Sequence, residues 1–331
     1  MEIGSFIELQ LPRGCEYYLG NKYGDMDIVR LNSGRCAIYH ACKALDCNTV
    51  WLPHYQCGTV RSYLAKKGIS VKYYHINSCF DPIDIEQQDN ECVVIVNYFG
   101  IMSFARMSAL AARYKNVIVD NSQAFFAKPV EGCMNVYSAR KFVGVPDGAY
   151  VIGNRANTGV EVYEKGFSSD TALFLLSRIE YGCEGKTYSL RTENENRIDE
   201  EDICKMSKLT HSILDGTDYD SVISKRKDNF RDVKLVLDDI NKLNTDIYFA
   251  NDCVPMVYPL VVEDEKLLSF LLEKKHFQGR WWRYILNEVP ETCFEHYLSK
   301  YMVPVTIDQR YGKTELNELC NIIKSYVVGI V

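Results

Sequence analysis

The sequence predicts an α/β fold: a large domain whose mostly parallel sheet is covered by helices, followed by a small C-terminal α/β domain. Three observations carry this. Short runs such as CVVIV at 92–96 and VIV at 117–119 are apolar throughout, as strands buried on both faces are. Between such runs lie segments of roughly 10–15 residues with apolar residues at helical spacing, long enough to cross over between parallel strands. Pro53, Asn97, Asp120 and Ser138 each close an apolar run. Open parallel sheets bind ligands beyond the carboxyl ends of their strands, so these four residues are expected along one edge.

Residues 1–30 are aromatic-rich without a period, and Tyr17, Tyr18 and Tyr23 either pack over a neighbouring subunit or cover a cleft. Asn32-Ser33-Gly34 opens a helix in which Ile38, Ala41 and Leu45 recur. A strand comes next at 49–52, stopped by Pro53; a helix then runs from Val60 to its end at Gly68. SVKYYHI at 70–76 is β-branched and aromatic, hence a strand. Further strands are expected at 92–96, 117–119, 135–137 and 149–152, with a helix at 103–114. Helices and long loops fill 153–205, and 206–237 is helical with a break near Asp215-Gly216. A composition change over Asn241 to Asp252 divides a large domain, 1–240, from a small one, 241–331. The small domain has strands at 256–262 and 301–305. It closes on a helix with Leu316, Leu319, Ile322, Ile323 and Val327 on one stripe.

A length of 331 residues suits such a pair of domains. The net charge of −6 and the lack of a basic tract argue against a nucleic-acid partner. The run Asp199 to Asp202 reads as a solvated loop or helix start. The 13 cysteines are scattered without a CxxC, so they read as reduced small hydrophobes of a cytoplasmic protein, with no metal site expected. MEIGSFIELQLPRG lacks a basic region ahead of an apolar core, and no apolar run reaches the ~18 residues of a membrane span, so neither leader nor membrane partner is expected.

The chemistry is sought in NVYSARKFVGVPDG, 135–148. Lys141 comes after a buried strand; it is either one more surface lysine or an amine that desolvation among small and apolar neighbours would keep near neutrality. A neutral amine attacks a carbonyl and forms a Schiff base. Asp120, at the mouth of a strand, either caps the following turn, pairs with an arginine, or holds the proton of a pyridinium ring. Gln123 lies within reach of the same ring. Ser33-Gly34 before a helix is either a plain N-cap or a phosphate cradle, to which Arg35 adds a charge and Ser138 a hydroxyl. Anion site, carboxylate, polar ring contact and lysine together are the parts that pyridoxal 5′-phosphate requires. In the stretch 279–284, Arg280 and Arg283 beside Trp282 either bind a carboxylate or diphosphate, or the tryptophan pair packs the small domain on the large one.

These stretches resemble the DegT/DnrJ/EryC1/StrS sugar aminotransferases, of the fold-type I pyridoxal phosphate superfamily. LNSGRCAIYHACKAL resembles the family's opening segment, and VWLPHYQCGTV its next strand and helix entry. VIVDNSQAFFA and YSARKFVGVPDGAYVI resemble its aspartate and lysine motifs, and KRKDNF at 225–230 a later helix. The resemblance runs from about 30 to 152 and is patchy beyond. It implies Lys141 as the Schiff-base lysine, Asp120 as the pyridinium partner, Gln123 as the ring contact, and Ser33, Gly34 and Ser138 as phosphate contacts; the strand-end reading adds Asn97 as a cofactor contact on the same edge. It implies a homodimer with shared sites that moves an amino group from an amino acid such as glutamate to a keto sugar on a nucleotide. The departures are Cys57 where the family has an aromatic residue, with Tyr55 as the alternative; Arg35 for a threonine; Ala149 for a glycine; and no Asn-x-Arg stretch near 191–206, where Arg197 is the nearest candidate. A lyase or dehydratase, or an inactive binding protein of the same fold, are the alternatives. Related sugar dehydratases carry histidine in place of the lysine, so Lys141 favours amino transfer.

Overall fold

The structure, a computed structural model, describes residues 3–21, 23 and 26–329. Eight strands form the main sheet: β1 (Asp27–Leu31), β2 (Thr49–Pro53), β3 (Ser70–Ile76), β4 (Pro82–Ile83), β5 (Glu91–Val96), β6 (Val117–Asn121), β7 (Met134–Ser138) and β8 (Ala149–Gly153). Their spatial order is β1-β8-β7-β6-β5-β2-β3-β4. The five strands β7, β6, β5, β2 and β3 are parallel, while β8 runs against both β7 and β1, and β4 against β3. The expected α/β fold with a mostly parallel sheet is therefore present.

The helices are α1 (Tyr17–Gly20), α2 (Gly34–Ala44), α3 (Gly58–Lys66), α4 (Phe104–Ala111), α5 (Leu173–Tyr181), α6 (Lys186–Glu200), α7 (Lys208–Asp215), α8 (Tyr219–Leu237), α9 (Leu267–Glu273), α10 (Phe294–Tyr301) and α11 (Lys313–Val327). Two further strands, β9 (Val257–Val261) and β10 (Met302–Thr306), pair antiparallel as a second sheet. In α11, Leu316, Leu319 and Ile323 are buried, as the stripe predicts. No helix among the described residues is long and apolar enough to cross a membrane.

The main sheet is covered on both faces because side chains alternate along each strand. Val136 and Val151 join the larger core, while Tyr137, Tyr150 and Ile152 join a second core with Tyr18, Phe125 and Phe142. Tyr18 is fully buried there, and its hydroxyl donates to the Phe125 carbonyl. The aromatic N-terminal residues thus pack on their own chain: Tyr17 meets Tyr18 edge-on at 5.1 Å, and Tyr18 meets Tyr137 at 4.6 Å.

The acidic run is not simply solvated. Asp199 pairs with Arg35 at 2.5 Å, Glu201 with Arg197 at 2.8 Å and Asp202 with Lys67 at 2.5 Å. Burial works against charge on Asp202, but Lys67, the Tyr63 hydroxyl and the Ile203 N–H outweigh it and hold the carboxyl down to about 2. The first fastens the end of α6 to the start of α2, and the last ties the following segment to the end of α3.

Candidate active site

Register places the expected residues on one edge. Val96 lies beside Asp120 and Asp120 beside Val136, while Ser138 and Leu31 both face Ala149 across β8. The carboxyl ends of β1, β2, β5, β6 and β7 therefore share a rim. The turn into β8 closes it: the Ala139 N–H donates to the Gly148 carbonyl at 3.1 Å, and the Gly148 N–H to the Asn32 carbonyl at 2.9 Å. Gly148 has φ +117 and faces Thr210 and Met206, a conformation and a space that suit glycine alone.

The N-terminus of α2 opens onto this rim. Ser33 caps the helix with extended backbone, but its hydroxyl makes no cap bond; it is buried and has no hydrogen-bond partner. A Cβ on Gly34 would lie 3.2 Å from the Ser122 hydroxyl and 4.0 Å from the Ser138 Cβ. Two strand ends thus bring serines against a glycine at a helix start, where free N–H groups favour an anion. Nothing in the sequence around Ser122 points to this place.

Asp120 is buried. Its Oδ1 accepts from the Ser122 N–H at 2.9 Å, and its Oδ2 from the Gln56 side-chain amide at 3.0 Å. It therefore does cap the following turn, and its second partner is a glutamine that sequence reasoning missed. Gln56 Oε1 is buried without a partner, and the Gln56 carbonyl accepts from the Tyr284 hydroxyl.

Other expected residues have different work. Gln123 Oε1 accepts from the Phe99 N–H at 2.9 Å, so that oxygen is occupied by the bend after β5. Asn97 donates to Asn121 at 3.1 Å and accepts from the Met102 N–H at 3.3 Å; both asparagines line a cavity of about 240 Å³ with Met107, Lys128 and Asp252, on the side of α4. Arg35 is not free to clamp an anion: it is buried, paired with Asp199 and set over the Tyr63 ring at 5.1 Å. Tyr55 is fully buried, its ring 4.6 Å from Trp282. Trp281 stacks on Phe99 at 5.7 Å, so the tryptophan pair packs its own segment on the large sheet. Arg280 donates to the Asp264 carbonyl at 3.0 Å, and Arg283 is exposed.

Lys141 ends the short turn Ala139–Lys141 after β7, on the same rim, and its side chain is exposed. The burial expected around its amine is therefore not supplied by this chain. The next residue, Phe142, is braced: Gln309 donates to its carbonyl at 2.7 Å and accepts from Arg226 at 2.9 Å. The Arg226 guanidinium sits 4.5 Å from the Phe142 ring centroid and donates to the Pro255 and Met256 carbonyls. Burial pulls Arg226 down to about 10, which leaves it charged at neutral pH. On the other side, Arg140 pairs with Glu195 of α6, and Asn194 donates to the Pro146 carbonyl at 3.0 Å.

No protein-family model matches the chain, and no curated sequence does. Solved structures do match in fold. The sugar aminotransferase CalS13 from Micromonospora echinospora superimposes with a TM-score of 0.62 at 15% identity, over 90% of this chain and 87% of that one. A DegT DnrJ EryC1 StrS aminotransferase from Brucella abortus gives 0.61 at 13% identity, over 91% and 86%. NtdA from Bacillus subtilis, solved with bound cofactor PMP, gives 0.58 at 15%, over 90% and 73%. The chain has the fold of these aminotransferases.

Proposed function

We propose that this chain is a pyridoxal phosphate-dependent aminotransferase of the DegT/DnrJ/EryC1/StrS type. Its reaction moves an amino group from an amino acid such as glutamate to a keto sugar, carried on a nucleotide. The observation that carries this reading is the rim itself: the unpartnered Ser33 hydroxyl, the close approach at Gly34 and the side chains of Ser122 and Ser138 share it with the buried carboxylate of Asp120. These residues fit the cofactor's phosphate at one end and its ring nitrogen at the other. Ser33, Gly34, Ser122 and Ser138 would hold the phosphate, Asp120 the ring nitrogen, and Lys141 the aldehyde.

Bound there, pyridoxal phosphate supplies an electron sink for charge developing at the donor's α-carbon. Asp120 would keep that sink effective by holding a proton on the ring nitrogen. The Lys141 amine, on its flexible stem, would take the proton from the donor's α-carbon and later return one to the carbon of the acceptor. Arg226 and Gln309 fix the backbone from which Lys141 extends.

A homodimer with shared sites belongs to the same reading, in a chain divided near residue 240. It is supported by the exposed amine of Lys141 and by α5, where Leu173, Leu176 and Ile179 stay exposed on one face. A second copy laid there would cover apolar surface and supply the burial that the lysine lacks. A cytoplasmic location is proposed on the cysteines, none of which is disulfide-bonded.

The test is borohydride reduction of the purified protein with its cofactor, and then peptide mapping. A pyridoxyl group on Lys141 alone is the expected result; its absence, or its appearance spread over surface lysines, overturns the assignment. A second reading, a non-catalytic protein of this fold, is favoured by Gln56 already occupying Asp120 Oδ2. A colourless preparation that takes up no cofactor would decide for it.

A further inference from the structure

Outside the cofactor rim, three side chains of metal-binding type meet where α10 crosses the outer part of the main sheet. His75 lies in β3, Cys293 caps the start of α10 and Glu295 is in its first turn. One ligand atom from each lies within 4.8 Å of the others. Glu295 is fully buried. Its Oε1 accepts from the Ile76 N–H at 2.6 Å, and its Oε2 has no partner at all. His75 Nδ1 is 3.3 Å from Oε1, yet it is also buried without a hydrogen bond, because the geometry of that contact is poor. A buried carboxylate oxygen and a buried imidazole nitrogen, both orphaned in one place, are costly unless something lies between them.

We propose that His75, Cys293 and Glu295 bind a zinc ion that ties α10 to β3. The donor set is imidazole, thiolate and carboxylate, which suits Zn²⁺ and not Mg²⁺ or Ca²⁺, whose ligands are oxygens. Ligand atoms around tetrahedral zinc stand roughly 3.3–3.8 Å apart, so the three side chains need to close by only about 1 Å. Binding releases the thiol proton of Cys293 and takes neutral His75, so the ion's two charges are met by one thiolate and one carboxylate. The bond that Glu295 accepts from the Ile76 N–H orients the carboxylate, as a hydrogen bond to a ligating group should. The ring of His54 lies 4.6 Å from that of His75, and His54 precedes Tyr55 and Gln56. The ion therefore fastens the C-terminal part of the chain beside the loop that carries the partner of Asp120. This site stands independently of the cofactor reading.

The experiment is elemental analysis of the full-length protein dialysed against limiting zinc chloride, with Co²⁺ substitution as a second readout. One ion per chain is expected, with a thiolate-to-cobalt absorption band. His75→Ala and Cys293→Ser should each weaken zinc binding at least about tenfold. Cys293→Ser should remove the cobalt band, and the exposed Cys15→Ser should change neither. Glu295→Gln, which keeps an acceptor for the Ile76 N–H, should fold normally and lose affinity. Zinc should raise the melting temperature of the parent and of Cys15→Ser only. No ion above the buffer control, or an ion and cobalt band unchanged in Cys293→Ser, overturns the proposal.

Discussion

The side-chain amide of Gln56 donates to Oδ2 of Asp120 across 3.0 Å, joining the loop after β2 to the end of β6. Gln56→Ala leaves a buried carboxylate oxygen without its partner and should lower stability by about 1–3 kcal/mol, read from denaturant melts. Asp120→Asn keeps the shape but removes the charge. It should lower kcat by roughly 100-fold or more with the melting curve little changed. Equal loss in both measurements would mark Asp120 as a structural cap only.

Lys141 is exposed and joins neither hydrophobic core. Lys141→Ala should therefore leave stability unchanged while turnover falls by about 10²–10⁴-fold, the range of a lost acid–base group. Lys141→Arg should not restore it. A variant with parental turnover would remove the lysine from the chemistry.

The phosphate cradle makes two separable predictions. In Gly34→Ala the new methyl group sits 3.2 Å from the Ser122 hydroxyl and pushes that side chain aside. Cofactor affinity should fall about tenfold or more, equal to about 1.4 kcal/mol, in a fluorescence titration. Ser33→Ala removes a buried hydroxyl that has no protein partner. The apo-protein should be as stable as the parent, while cofactor binding loses about 1 kcal/mol.

Arg226 carries a buried charge held by two carbonyls, Gln309 and an aromatic face. Arg226→Ala should cost about 2–4 kcal/mol, since it opens a cavity and leaves the Pro255 and Met256 carbonyls unpaired. Activity should fall as well, through the freed Phe142 segment. Retained stability would show that the loop is held by other means.

His40 is fully buried, which disfavours its charged form. Its Nε2 lies 2.6 Å from the Ala156 carbonyl and must donate to it, so Nδ1 accepts from the Tyr163 hydroxyl at 2.9 Å. Burial pushes its pKa below the usual 6.5, against the Ala156 carbonyl, which raises it. The unfolded chain then takes a proton near pH 6.5 that the folded chain refuses until lower pH, so stability falls as pH drops through that window. The slope is at most about 1.4 kcal/mol per pH unit. Urea melts from pH 7.5 to 5 should show a shallower fall in His40→Gln than in the parent, the remainder coming from His54, which burial lowers as well.

The covered strands are legible in the sequence because β5, β6 and β2 are apolar runs that a doubly covered sheet explains. β1 is not: DIVRL alternates only weakly, and its pairing with β8 is a long-range event that no local pattern announces. At the site, the strand-end positions of Asp120 and Ser138 can be read from the runs before them. Gln56 and Ser122 cannot, because each looks like an ordinary loop residue until two strand ends are set side by side. Gln123 and Asn97 suggest ligand contacts by their positions, yet their amides close bends that the tight sheet edge creates. The role of Arg35 depends on α6 folding back over α2, a contact between distant segments. The ligands of the zinc site escape any spacing rule, since β3 and α10 meet only in three dimensions.

β8 runs against β7, so the segment bearing Lys141 is a hairpin and needs no returning helix. Its two ends are locked to each other at Ser138 and Ala149, and the residues between are tied at Gly148, Phe142 and Pro146 to the rest of the chain. Such a loop has no slack. Adding or deleting one residue between 139 and 148 would swing the amine off the rim and break the ties to Asn32, Gln309 and Asn194 as well, so the length of this hairpin sets the reach of the lysine.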